Sequence, residues 1–240
     1  MKILAIDTSS TSATCAIMDE DKLLVEYTLN HKLTHSQKIM PMIKDALNSC
    51  GLKPEDIDVF AVAKGPGSFT GLRIGVATVN GLAQAVNKKV VGVSTLDALA
   101  FNLPYCEGIV VPIMDARRDR VFTGIYKWTN GNLHIIYEQT VLEVKELIEI
   151  LKERPERIVF VGDGTLAYKD ILSEALGDKV IFAPKSANMA RAASVAELAM
   201  AKAVEGKTES FFELVPDYLR ESQAQREYNE RHGLVGDNNE

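Results

Sequence analysis

The chain has 240 residues, 46% of them hydrophobic and 25% charged, so it has the composition of a folded globular protein and the length for one or two domains. Its formal net charge of −6 argues against tight, unaided nucleic-acid binding, because phosphate neutralisation by a basic face supplies most of such affinity. Three cysteines, Cys15, Cys50 and Cys106, odd in number and widely spaced, argue against a disulfide framework or a zinc cluster. No apolar run reaches the roughly 18 residues of a membrane span, and MKILAIDTSS enters a strand pattern directly, so the expectation is a cytoplasmic protein without a membrane partner.

The first strands are expected at KILAIDTS (2–9), SATCAIMD (12–19) and KLLVEYTLN (22–30), close enough in sequence for an antiparallel meander. A helix follows in HSQKIMPMIKDALNSCG (35–51), with Ser36 as N-cap, Gly51 as stop, and Ile39, Ile43, Ala46 and Leu47 at helical spacing. Pro41 lies beyond its first turn and predicts a kink or a later start. IDVFAVAKG (57–65) reads as a strand buried on both faces, followed by a glycine-rich loop, a long helix to about Asn87, a strand at 89–94 and a helix from Thr95.

The second half repeats that order. Strands are expected at GIVVPIMDA (108–116), RVFTGIYKW (120–128) and, after the turn Asn130-Gly131, NLHIIYEQ (132–139). A helix at 141–153, a strand in RIVFVGDG (157–164), and helices from about Leu166 and over 189–205 complete it, with Gly206 as the last stop. Each half therefore reads as three strands, helix, strand, helix, with no repeated sequence. Two such units resemble an α/β duplicated ribonuclease-H-like fold, as in actin, sugar kinases and heat-shock ATPases. The halves would be 1–104 and 105–220, with the last helices free to pack back on the first. The polar stretch 221–240 is expected to be disordered.

In that architecture a nucleotide lies between the halves. Its phosphate turns would correspond here to Asp7, Thr8 and Ser9 and to Asp115, with Gly65, Gly67, Gly162 and Gly164 as backbone contacts. The residues themselves leave this open. GPGSFTGLRIG (65–75) has no Walker lysine and falls one glycine short of the dinucleotide fingerprint, so its glycines suit either an anion or close backbone packing, and packing is preferred. Asp7 and Asp115 could hold a hydrated cation or form turns. His31 and His35 have ligand spacing, but polar neighbours place them at a strand end or in a loop. No Ser–His–Asp triad is evident.

The segments IDTSS (6–10), HSQKIMPMI (35–43), KGPGSFTGLRIG (64–75), STLDALA (94–100), PIMDARRDRVF (112–122), VGDG (161–164) and PDYLR (216–220) together resemble the bacterial TsaB (YeaZ) family. The glycine loop followed by STLDALA is the specific part, and Gln37 departs from the glutamate usual after His-Ser. The resemblance implies a non-catalytic, actin-fold partner in making threonylcarbamoyladenosine next to the tRNA anticodon. It further implies the catalytic paralogue TsaD, the ATPase TsaE and a self-dimer as partners, with tRNA engaged only indirectly. No cofactor would be required by this chain, with ATP or ADP at most at a partner interface. The paralogue's metal-binding His-x-x-x-His helix falls on STLDALA, where Thr95 and Leu99 cannot replace imidazoles.

The family's interface is said to lie on two N-terminal helices. Its residues here would be His35, Ile39, Ile43 and Leu47 on the first helix and Arg73, Ile74, Ala77, Gly81 and Ala85 on the second. On a helical wheel, Leu72, Val76, Val79 and Val86 form the second helix's core side, Arg73, Asn80, Gln84 and Asn87 a polar stripe, and Ile74, Ala77, Gly81 and Ala85 a small-residue flank. Rival readings are a free-standing ATP-dependent kinase or hydrolase using Asp7 and Asp115, and a peptidase, which the missing metal histidines disfavour.

Overall fold

The computed structural model describes residues 1–31, 34–220 and 231. The first half comprises β1 (Ile3–Asp7), β2 (Ala13–Met18), β3 (Leu23–Leu29), α1 (His35–Ser49), β4 (Val59–Gly65), α2 (Phe69–Val86), β5 (Lys89–Ser94) and α3 (Thr95–Phe101). The second comprises β6 (Ile109–Arg117), β7 (Arg120–Thr129), β8 (Asn132–Glu143), α4 (Val144–Lys152), β9 (Ile158–Val161), α5 (Gly164–Leu176), β10 (Val180–Phe182) and α6 (Ala192–Val204). The sheets run β3-β2-β1-β4-β5 and β8-β7-β6-β9-β10. In each, the first three strands are antiparallel and the last two join in parallel. This is one ribonuclease-H-like topology used twice, as the element order led us to expect.

The unbroken apolar runs of β1, β4 and β6 follow from helices on both faces of each sheet. Leu4 and Ile6 pack with Ile39 and Ile43 of α1 and with Val76 and Val79 of α2, whereas their neighbours Ile3 and Ala5 pack with Val195, Ala196 and Ala199 of α6. In the second sheet Ile109, Val111 and Ile113 face α4 and α5, and Val110 and Met114 face Leu96, Leu99 and Ala100 of α3. The final helices of the two halves are thus exchanged: α6 covers the first sheet, and α3 packs on the second while its Ala98 joins the first-sheet cluster. Asn102 ties them together, donating to the carbonyls of Ala187 and Met189 and accepting from Ser194 Oγ.

Several expectations are corrected. β10 was not anticipated, so each half is βββαβαβα. Its three residues follow the Gly177 turn and are too short to show a period. β8 continues to Glu143, delaying α4 to Val144, and α6 begins at Ala192 rather than 189. Ser36 is not the cap of α1: the helix starts at His35 with Thr34 as N-cap and passes unbroken through Pro41. The burial of Ile39, Ile43, Ala46 and Leu47 outweighs the one backbone bond a proline removes. Gly51, at φ +65°, does end that region. The disorder expected over 221–240 falls, apart from Arg231, outside the described residues.

Candidate functional site

The long helix α2 carries the first candidate surface. Ser68 Oγ caps it by accepting from the Gly71 amide, and Asn87 ends it in the left-handed region at φ 52°. Leu72, Val76 and Val79 are buried in the first core, with Val86 half-buried against it. On the other side Arg73, Ala77, Gly81 and Ala85 are exposed and Ile74 is half-buried. A side chain built on Gly81 would meet nothing within 4 Å. The small residues Ala77, Gly81 and Ala85 thus face solvent opposite the bulky core side, whereas Ile74, expected on the same flank, packs against the first core instead.

On α1 the outcome differs. Ile39, Ile43 and Leu47 are 1%, 1% and 6% exposed, all within the first core, and offer no surface to a partner as the chain stands. The resemblance implied them at the interface, but their helical period marks a face that the chain's own first sheet covers. The exposed residues of this helix include Met40, Pro41 and Lys44. His35 is half-buried, with Nε2 2.9 Å from the Ser10 carbonyl.

Half of the polar stripe on α2 serves the chain itself. Asn80 Nδ2 donates to the Leu214 carbonyl at 3.1 Å, and Arg73 Nε donates to the Tyr218 hydroxyl at 3.1 Å. The Tyr218 ring stacks on Phe69 at 4.4 Å, and the Arg73 guanidinium lies 4.1 Å from the Phe69 centroid. Gln84 and Asn87 are exposed.

The second candidate is a cleft of about 1060 Å³ between the halves, lined on one side by Ser9, Gly67 and Phe69 and on the other by Asp115, Arg117 and Asp163. His31 and His35 also border it. Asp7 lies beneath its floor, fully buried: Ser9 donates to Oδ1 through its amide at 2.8 Å and its hydroxyl at 2.6 Å, while Oδ2 has no partner. Burial pushes the Asp7 carboxyl up to about 6. Burial likewise raises Asp163, whose Oδ1 accepts from the Asp115 amide at 3.2 Å. Asp115 in turn accepts from the Arg117 amide at 2.8 Å and lies 3.4 Å from that residue's guanidinium.

The glycines next to the cleft are there for close packing. A Cβ on Gly67 would stand 2.5 Å from the Ser9 carbonyl oxygen, and one on Gly71 would run into the carbonyl of Thr8. Gly162 and Gly164 make the same approach to the carbonyl of Ile113 in the second half. The Ser68 amide already donates to the Ser9 carbonyl at 2.7 Å and so does not point at a ligand. Of the expected anion contacts, Ser9, Gly67 and Asp115 border the cleft, whereas Asp7, Thr8, Gly65, Gly162 and Gly164 are buried behind it. Asp163, Arg117, Tyr218 and Arg220 border it too; the sequence marked the last two only as part of PDYLR. Thr95 and Leu99 are buried, and among the described residues no group of three His, Cys, Asp or Glu side chains could hold a metal ion. No helix among them is long and apolar enough to cross a membrane.

The paired sheets, exchanged helices and central cleft define a protein of the actin-like ATPase fold. The same fold class is seen in the ethanolamine utilization protein EutJ from Carboxydothermus hydrogenoformans, at 14% identity and TM-score 0.51 over 82% of this chain and 89% of that one. A family model described as TsaD, tRNA N6-adenosine threonylcarbamoyltransferase, matches residues 22–228. The tRNA threonylcarbamoyladenosine biosynthesis protein TsaB of Bacillus subtilis (strain 168) is 36% identical over 95% of this chain and 98% of its own. Its namesake in Escherichia coli (strain K12) is 32% identical over 93% and 96%. The solved structure of YeaZ from Pseudomonas aeruginosa is 26% identical, with TM-score 0.75 over 90% of this chain and 99% of that one. The chain belongs to the TsaB (YeaZ) family.

Proposed function

We propose that this chain is a non-catalytic scaffold subunit of the complex that adds threonylcarbamoyl to N6 of the adenosine next to the tRNA anticodon. It docks the catalytic paralogue TsaD through the solvent side of α2, and the same face serves a self-dimer. The observation that carries this is the exposed row Ala77, Gly81 and Ala85 on a helix whose bulky side is already committed to the core. Small residues let a partner helix approach toward the ~8 Å end of the interaxial range. The ATPase TsaE would join at the edge of that assembly. The charge of −6 supports indirect rather than direct contact with tRNA.

The kinase or hydrolase alternative would need Asp7 to meet a substrate. Asp7 is 0% exposed and already held by Ser9, which favours the scaffold reading. Any ATP or ADP would then contact Ser9, Gly67 and Asp115 at the cleft edge, in company with a partner. The test is pull-down with the paralogue followed by a tRNA-modification assay that omits each component in turn. The reading expects stable capture and no modification when this chain is left out. Full modification without it would end the proposal.

A further inference from the structure

The segment after α6 returns to the first half. Glu209 pairs with Val90 through both backbone bonds, and Leu214 is buried in the first core. The Asp217 amide then donates to the Lys64 carbonyl at 2.7 Å, and the Asp217 carbonyl sits where a side chain on Gly65 would be. Tyr218 is fixed to α2 by Phe69 and Arg73. The next residues belong to the opposite wall. Leu219 packs against the second-half cluster that contains Met114, Ala116 and Phe122. Arg220 Nη1 donates to the carbonyl of Ala116 and, at 3.5 Å, to that of Arg117. All four residues, Asp217 to Arg220, line the cleft.

The acceptor side is itself unusual. Arg117, Arg118 and Asp119 have φ of 66°, 55° and 56°, three successive non-glycine residues in the left-handed region. The left-handed region is unfavourable for residues with a Cβ, so this turn holds its shape because its surroundings stabilise it. Arg220 bonds the Ala116 carbonyl that leads into the turn and the Arg117 carbonyl within it.

We propose that residues 217–220 form a clasp across the cleft mouth, anchored by Tyr218 in one half and by Leu219 and Arg220 in the other, whose release opens the cleft. Because Arg73 stands at the edge of the exposed side of α2 and holds Tyr218, the clasp also links that surface to cleft width. Anything that draws the Arg73 side chain away loosens Tyr218, and with it the four-residue bridge. The exchanged helices α3 and α6 remain packed at the base and serve as the hinge.

The test uses the full chain alone, so it does not depend on any docking partner. Spin labels on cysteines placed at Thr70 and Leu166, both exposed on opposite sides of the cleft, report its width in a background with Cys50 and Cys106 changed to Ser. Arg220→Ala, Tyr218→Phe and Arg73→Ala are each expected to shift the distance distribution to longer, broader values, and Arg220→Lys to recover part of the shift. Tyr218→Phe keeps the ring stack and removes only the hydroxyl, so it remains informative if Arg220→Ala folds poorly. Unchanged distributions in folded Arg220→Ala or in Tyr218→Phe would overturn the clasp. A shift with Arg220→Ala but none with Arg73→Ala would overturn its link to α2.

Discussion

Glu26 on β3 and Arg191 at the N-cap of α6, 165 positions apart, are joined by a 2.5 Å ion pair. The other Glu26 oxygen accepts from the Ala193 amide at 3.0 Å, so one carboxylate both pairs the arginine and caps the helix that crosses back onto the first sheet. Its side chain is only 13% exposed. Glu26→Ala should therefore lower stability by about 2 kcal/mol, combining a lost cap with a guanidinium left without its partner. Urea denaturation measures it; a loss within ~0.5 kcal/mol would mean that apolar packing alone holds α6 in place.

Two glycines of one helix should respond oppositely to the same change. Gly81→Ala meets open space and replaces the poorest ordinary helix former, so a gain of about 0.8 kcal/mol is expected. At Gly75 a Cβ would stand 2.6 Å from Thr8 Oγ1 and 3.1 Å from Val62 Cγ2, against the end of β1. Gly75→Ala should cost about 2 kcal/mol despite the same propensity gain. Denaturation curves of the two variants decide it, and equal effects would refute close packing against β1 and β4 as the reason for Gly75.

Asp7 predicts a pH dependence of stability. Its native value of about 6 lies above the ordinary aspartate value of 3.8, because burial disfavours the charge and Asp163 adds repulsion that the two Ser9 hydrogen bonds only partly offset. Between those values the native state holds a proton that the unfolded chain has released. Stability should thus fall as pH rises from about 4 to about 6, by up to ~3 kcal/mol. Asp7→Asn keeps an acceptor for Ser9 and removes the charge, so it should be more stable than the parent at pH 7 and lose this contribution to the slope. Melting curves across pH that superimpose for the two proteins would contradict this.

The positions of β1 to β9 were legible because residue types alternate or run apolar over whole elements, from ILAID in β1 to IVFV in β9, whereas the three residues of β10 were too few to show. The two sides of α2 were legible for the same reason. The return of the last helix to the first half was anticipated. The reach of α3 to the second sheet and the bonds Asn80–Leu214 and Arg73–Tyr218 were not, since the latter join residues 134 and 145 positions apart from a segment with no period. Ile39, Ile43 and Leu47 show the limit most clearly. Spacing reveals that a helical face is apolar, and only the fold shows that the chain's own sheet already covers it.

If the exposed side of α2 docks the catalytic paralogue, Gly81→Arg should break that contact while sparing the fold. The new side chain enters solvent in the free chain, so the variant should fold with near-normal melting. In a helix–helix contact it would bury an unpaired charge. Pull-down with the paralogue should therefore fail, the variant should elute as a monomer, and reconstituted tRNA modification should drop to the level seen when the chain is omitted. A folded variant that captures the paralogue as well as the parent does would contradict the account.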